Sequence, residues 1–162
     1  MTFSLAVPNK GRLKEPSVRL LTDAGLRFET TDRAPSVPVR NVDMELLFVR
    51  TDDIAELVSD GVADAGITGV DLIAEYGTGL QTLVELGYGH CRLAAAVPNQ
   101  SPIEKVDEFE GLRVATAHPH ATGRFFADRS IDVDIIELRG SVEVATKIGV
   151  ADAGDGIYDS NM

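Results

Sequence analysis

The chain has a single cysteine, Cys91, so no disulfide can form within it. A lone thiol fits a reducing compartment. Long apolar runs are missing too. The N-terminal run from Phe3 to Val7 stops at Pro8 and has no basic flank, so it is too short for a secretory signal or a bilayer span. The expectation is a cytoplasmic protein without membrane association. Internal repeats, heptads and low-complexity segments are also absent. Positive charge is scarce: 15 Lys and Arg stand against 26 Asp and Glu, a net charge of −11. Such a surface repels nucleic acid, and no nucleic-acid partner is expected. Scarcity makes each cation informative. An acidic protein binds a polyanion where its few cations converge or where a divalent metal intervenes.

The remainder is ordinary globular material. The 162 residues are 44% hydrophobic and 25% charged, enough for one domain or two small lobes with a real core. Apolar patterning predicts strands over "FSLAVP", "MELLFV", "VADAGIT", "LQTLVEL", "RLAAAV", "LRVATA" and "VDIIEL". Helices are predicted over "GRLKEPSVRLLTDAG", "TDDIAELVSDG", "GVDLIAEYG", "ATGRFFADR" and "SVEVATKIG", the second capped by Thr51 or Asp52. Pro16 is compatible only with the first turn of its helix. Alternating strands and helices joined by short loops imply an α/β fold with helices on both faces. The turn-rich 98–111 stretch is the one obvious connector. A boundary near 89–98 gives two α/β lobes, residues 1–90 and 91–162, with a ligand between them.

Three strand-to-helix turns carry glycine. In "VPNKGRL", Lys10 and Arg12 add full charges to the partial positive charge of a helix start. An anion cradle and a plain turn with two solvated cations fit this stretch equally well. In "DAGITGVDLI", Gly66 and Gly69 allow close backbone approach, and Asp71 is explained by favourable helix charging alone. In "LRGSVEVATKIGVADA", Gly140 offers backbone N–H groups and Ser141 suits a helix cap, with Glu143 in the first turn. His90, Cys91, His118 and His120 lack metal-ligand or catalytic spacing. Zinc and thiol chemistry are therefore not expected, and Cys91 reads as a packed residue. These features point to an anionic small molecule and leave the reaction open.

Taken together, the turns match a family. "AVPNKGRL", "VRTDDI", "GITGVDLI", "LGYGHCRLAAA", "RVATAHPH" and "LRGSVEVATKIGVADA" occur in order, and the chain resembles ATP phosphoribosyltransferase, the enzyme that begins histidine biosynthesis. The resemblance implies a two-lobed architecture like a periplasmic binding protein, with a cleft between the lobes. It also implies the reaction: adenine N1 of ATP attacks C1 of phosphoribosyl pyrophosphate, and pyrophosphate leaves with magnesium. Such chemistry asks for charge neutralisation and alignment more than for a strong base. A non-catalytic nucleotide or small-anion binding module of the same shape is the rival.

Carried over by position, the resemblance assigns Lys10, Gly11 and Arg12 to substrate phosphate or ribose. Arg33 and Arg50 are expected to point into the cleft, although Arg50 also suits a surface cation. Gly69, Gly140 and Ser141 are expected to bind substrate, and Arg92 to meet nucleotide. Glu143 is the candidate catalytic residue, near the ribose or amino group. The metal-binding residues are not assigned. In the resembled family "GVADA" leads through an apolar strand into a phosphate loop of the form Asp-aliphatic-Val-x-Thr-Gly-x-Thr. Here the resemblance stops at Ala153, and "GDGIYDSNM" contains no such loop. Asp152, Asp155 and Asp159 are expected in its place. They would oppose phosphate, so weak phosphoribosyl pyrophosphate binding and little turnover are expected. A return segment to the first lobe is also expected to be lacking. The short family form implies a homo-oligomer that works with a regulatory subunit resembling histidyl-tRNA synthetase.

Overall fold

The computed structural model describes residues 1–30, 34–76, 79–138, 140 and 142–159, without the side chains of 143 and 156–159. The chain forms two compact units, Met1–Gly89 and His90–Met162. Each is a four-stranded mixed sheet with helices.

The first unit runs β1 (Phe3–Pro8), α1 (Lys14–Asp23), β2 (Ser36–Pro38), β3 (Met44–Val49), α2 (Ile54–Ser59), β4 (Ala65–Gly66) and α3 (Val70–Tyr76). Its strand order is β2-β3-β1-β4. β1 lies parallel to β3 and β4, and β2 lies antiparallel to β3. β1 shows why both faces need cover. Side chains alternate along a strand, and here Val7 joins a core with Leu21 of α1 and Leu46. Its neighbour Ala6 joins a separate core with Ile54 of α2 and Ala63. A central strand buried on both faces reads as a continuous apolar run, as expected for parallel pairing.

The second unit runs β5 (Cys91–Ala96), β6 (Arg113–Thr116), α4 (Pro119–Ala127), β7 (Asp134–Glu137), α5 (Val142–Lys147) and β8 (Ala153–Asp159). Its order is β5-β8-β6-β7. β8 is parallel to β6 and antiparallel to β5, pairing Cys91 with Asp159 through Ala96 with Gly154. The alternation repeats here: Val114 packs with Phe126 of α4, and Ala115 packs with Val142 and Ala145 of α5.

Several local expectations change. "LQTLVEL" forms no strand; its Leu83 and Val84 are 78% and 67% exposed. A half-apolar pattern becomes a strand only beside a strand that takes its hydrogen bonds, and none of the described strands does so here. The N-cap positions are Arg50 and Asp53 rather than Thr51 or Asp52, and neither makes a side-chain capping hydrogen bond. Thr51–Asp53 is a short 3-10 turn leading into α2, and Asp52 faces Arg50 instead. β8 begins at Ala153, so residues 153–159 form an interior strand of their sheet. No helix among the described residues is long and apolar enough to cross a membrane.

Candidate functional site

In the first unit the C-terminal ends of the parallel strands gather three loops. Beyond β1, the Asn9 N–H donates to the Val49 carbonyl at 2.8 Å, and the Ile67 N–H beyond β4 donates to the Ala6 carbonyl at 2.9 Å. The Thr68 hydroxyl then bonds the Thr51 carbonyl at 3.2 Å. Lys10, Gly11 and Arg12, then Arg50, then Gly69 therefore stand on adjacent loops at one sheet edge. In open α/β sheets ligands bind at this edge, beyond the carboxyl ends of the strands.

Each loop has its own chemistry. Gly11 sits at φ 77°, a backbone conformation that favours glycine, and it turns the chain between β1 and α1. Lys10 and Arg12 are exposed. One Arg12 Nη1 hydrogen bond goes to the Gly89 carbonyl at 3.3 Å. The Asn9 Oδ1 is buried and has no hydrogen-bond partner among the described residues. Arg50 is exposed and reaches Asp52 at 3.5 Å, a loose surface pair. Gly69 leaves room for the Asp71 carboxylate, whose Oδ1 stands where a Cβ would be. Arg33 lies outside the described residues.

In the second unit the loops after β6 and β7 lie side by side, with the Leu138 N–H on the Thr116 carbonyl at 2.9 Å. Gly140 follows β7 with φ 124° and open space where a Cβ would stand. Ser141 lies outside the described residues. The backbone of Glu143 is in the first turn of α5, and its side chain is not among those described. Arg92 is exposed on β5, in register with Tyr158 of β8. The expected residues thus fall into two groups, one on each unit: Lys10, Gly11, Arg12, Arg50 and Gly69 on the first, and Arg92, Gly140 and Glu143 on the second.

The structure adds a network that spacing did not single out. Asp155 points inward from β8 with a side chain only 5% exposed. Its Oδ2 accepts hydrogen bonds from the Thr116 hydroxyl at 2.5 Å and the Thr122 hydroxyl at 3.3 Å. The His118 Nδ1 stands 3.7 Å away. Burial works to raise the Asp155 pKa; the His118 imidazole, the Thr116 hydroxyl and the Ala117 N–H outweigh it and hold the carboxyl below the usual range. This corrects the expectation that Asp155 confronts a ligand phosphate, because its carboxylate is spent inside the unit. Asp152 is also engaged. The Arg113 guanidinium grips it in a fork at 2.9 and 3.1 Å, and the Arg113 N–H adds 3.0 Å, which lowers its pKa to about 2. The missed signal was the paired hydroxyls of Thr116 and Thr122 flanking His118. Among the described residues, no group of three or more His, Cys, Asp or Glu is arranged to hold a metal.

The model of the HisG ATP phosphoribosyltransferase family matches residues 50–159, through the end of β8. The chain belongs to the ATP phosphoribosyltransferase family. It is 43% identical over 152 residues to the ATP phosphoribosyltransferase of Methanopyrus kandleri, covering 93% of this chain and 54% of that protein. It is 44% identical over 157 residues to the one from Haloarcula marismortui, covering 96% and 55%. The chain thus spans about half the length of the curated relatives it matches. Among solved structures, the ATP phosphoribosyl transferase (HisG:HisZ) complex from Thermotoga maritima is 30% identical with TM-score 0.77, over 98% of this chain and 75% of that one. An amino-acid ABC transporter substrate-binding protein, 13% identical with TM-score 0.51, shares the fold alone. The α/β fold is the two-lobed one that this family shares with such binding proteins.

Proposed function

We propose that this protein is an ATP phosphoribosyltransferase, condensing ATP with phosphoribosyl pyrophosphate to phosphoribosyl-ATP and pyrophosphate in the first step of histidine biosynthesis. Family membership over residues 50–159 carries the reading. The reaction forms a bond from adenine N1 to ribose C1 and breaks the bond from C1 to the pyrophosphate oxygen. Negative charge develops on the leaving group, so preorganised cations and backbone N–H groups lower the barrier. Lys10, Arg12 and Arg50 on one sheet edge are suited to that task. The open backbone at Gly140 precedes α5, whose first turn holds Glu143; Gly140 and Ser141 are suited to the ribose, with Glu143 as the polar group near the reacting sugar. Arg92 is suited to nucleotide. Magnesium arrives with the pyrophosphate group as part of the substrate, since it prefers phosphate oxygens and water as ligands. The family setting supports a cytoplasmic homo-oligomer. The HisG:HisZ complex from Thermotoga maritima supports a second subunit, to which the family resemblance gives the form of a histidyl-tRNA-synthetase-like regulator.

The test mixes the chain with ATP, phosphoribosyl pyrophosphate and magnesium, with and without that partner, and follows product by chromatography. ATP binding and formation of phosphoribosyl-ATP are expected. Neither binding nor product with the partner present would sink the reading. Arg12→Ala removes a charge-assisted hydrogen bond to phosphate, worth roughly 1.5–3 kcal/mol, so ATP affinity should fall about tenfold or more. Unchanged calorimetric affinity would remove Arg12 from the site.

A further inference from the structure

We propose that Tyr88 and Gly89 are positioning residues for Arg12. They clasp the entry to α1 and hold the guanidinium ready for the phosphate of a nucleotide. The clasp is made of two consecutive residues closing on Arg12, Leu13 and Ser17. The Tyr88 ring packs against the core of Val7, Leu21 and Leu46. Its hydroxyl lies 2.7 Å from the Ser17 Oγ, and Ser17 is fully buried. Ser17 has one hydroxyl proton, and it goes to the Leu13 carbonyl at 2.7 Å. The Tyr88 hydroxyl must therefore be the donor to Ser17. That bond ties residue 88 to the first turn of α1. Gly89 then follows at φ 69°, with Leu13 Cδ2 occupying the place of its missing Cβ. Its carbonyl accepts from Arg12 Nη1 at 3.3 Å.

The consequence concerns Arg12 before any ligand arrives. An exposed arginine loses considerable rotamer freedom when it grips a phosphate. Here one of its five N–H donors is already engaged, so part of that ordering is complete and the remaining donors stay available. The Gly89 bond is exposed and long, so a phosphate oxygen can share or displace it. The chain from ring to guanidinium thus runs Tyr88, Ser17, Leu13, Gly89 and Arg12, and none of the first four needs to touch ligand.

This inference rests on reading Arg12 as a phosphate ligand, and the test keeps the two ideas apart. Tyr88→Phe keeps the ring in the core and removes only the donor. ATP affinity measured by calorimetry should fall about three- to tenfold, the fold-change equivalent of one ordinary hydrogen bond. With Arg12→Ala already present, Tyr88→Phe should change ATP affinity no further, because nothing remains to be positioned. An equal loss in both backgrounds, or no loss in the parent, would overturn the clasp. A ligand-free readout is independent of substrate: nitrogen relaxation of the Arg12 Nε–H group should report greater mobility in Tyr88→Phe and in Gly89→Ala. Unchanged Arg12 mobility in both variants would also overturn it. A parent chain that binds no ATP would sink the enzymatic reading while the Arg12 mobility still judged the clasp.

Discussion

Asp155 joins β8 to the β6–α4 turn through a single carboxylate. The Thr116 and Thr122 hydroxyls also lie 2.9 Å from each other, so Asp155→Ala leaves one of their two protons and the Ala117 N–H without the carboxylate that accepted them in a buried site. Unsatisfied buried donors are costly, so urea unfolding should show a loss of about 3 kcal/mol. A loss under about 1 kcal/mol would mean water or rearrangement satisfies those groups. Acid should act on the same side chains. Asp155 and Asp152 both have folded-state pKa values below their ordinary ones, Asp152 at about 2 against 3.8. Their contribution is present above the unfolded value and lost as pH falls through the folded one. Stability should therefore decline as pH drops from about 4 toward 2, and Asp152→Asn should flatten part of that decline. Arg113 and Asp152 keep 43% and 38% side-chain exposure, so solvent screens the pair and the slope should be shallow. A parent chain whose urea midpoint holds steady across that range would refute the assignment.

Elements here are decided by close contact as much as by propensity. β4 is only Ala65–Gly66, yet it docks α2 onto β1. A Cβ on Gly66 would collide with the Ile54 side chain, which is 1% exposed. Gly66→Ala should therefore overpack that face and cost about 1–3 kcal/mol, read as a lower thermal midpoint. Unchanged stability would show that α2 is free to shift. Gly66 was legible in the sequence as a point of close approach. The helices were legible too, because apolar residues recur at helical spacing within them, as Ile54, Leu57 and Val58 do in α2, where Ile54 is buried. β2 and β8 were not legible. Ser36–Pro38 is too short to show a period. "AGDGIYD" is glycine- and aspartate-rich and is a strand because β5 and β6 flank it. The reverse error, at "LQTLVEL", has the same cause: pairing partners are tertiary information.

At the scale of the whole molecule, a net charge of −11 sets the long-range field that an anionic substrate must cross. Local cations act only within about a Debye length, roughly 10 Å at 0.1 M salt. Stopped-flow association of magnesium-free ATP should therefore speed up by a few-fold as salt rises from low to moderate concentration, because screening weakens the overall repulsion. A steep fall in rate with salt would instead mean that Lys10, Arg12 and Arg50 form a dominant cationic funnel.

Strand–helix alternation by itself determined the α/β class, because apolar periodicity and glycine-bearing turns are local properties of the chain; the family came only from the resemblance of the ordered motifs to a known one. The sequence alone also put Lys10, Gly11 and Arg12 on a single turn, since those residues are adjacent in it. Only the tertiary structure decided which distant loops share an edge. Asn9 meets Val49 and Thr68 meets Thr51 because parallel strands bring separate loops to the same end of a sheet. Tertiary packing also decided that Asp155 turns inward while Tyr88 reaches Ser17, 71 residues away in the chain. A side chain's partner depends on what the fold delivers to it, and no spacing rule encodes a contact that long.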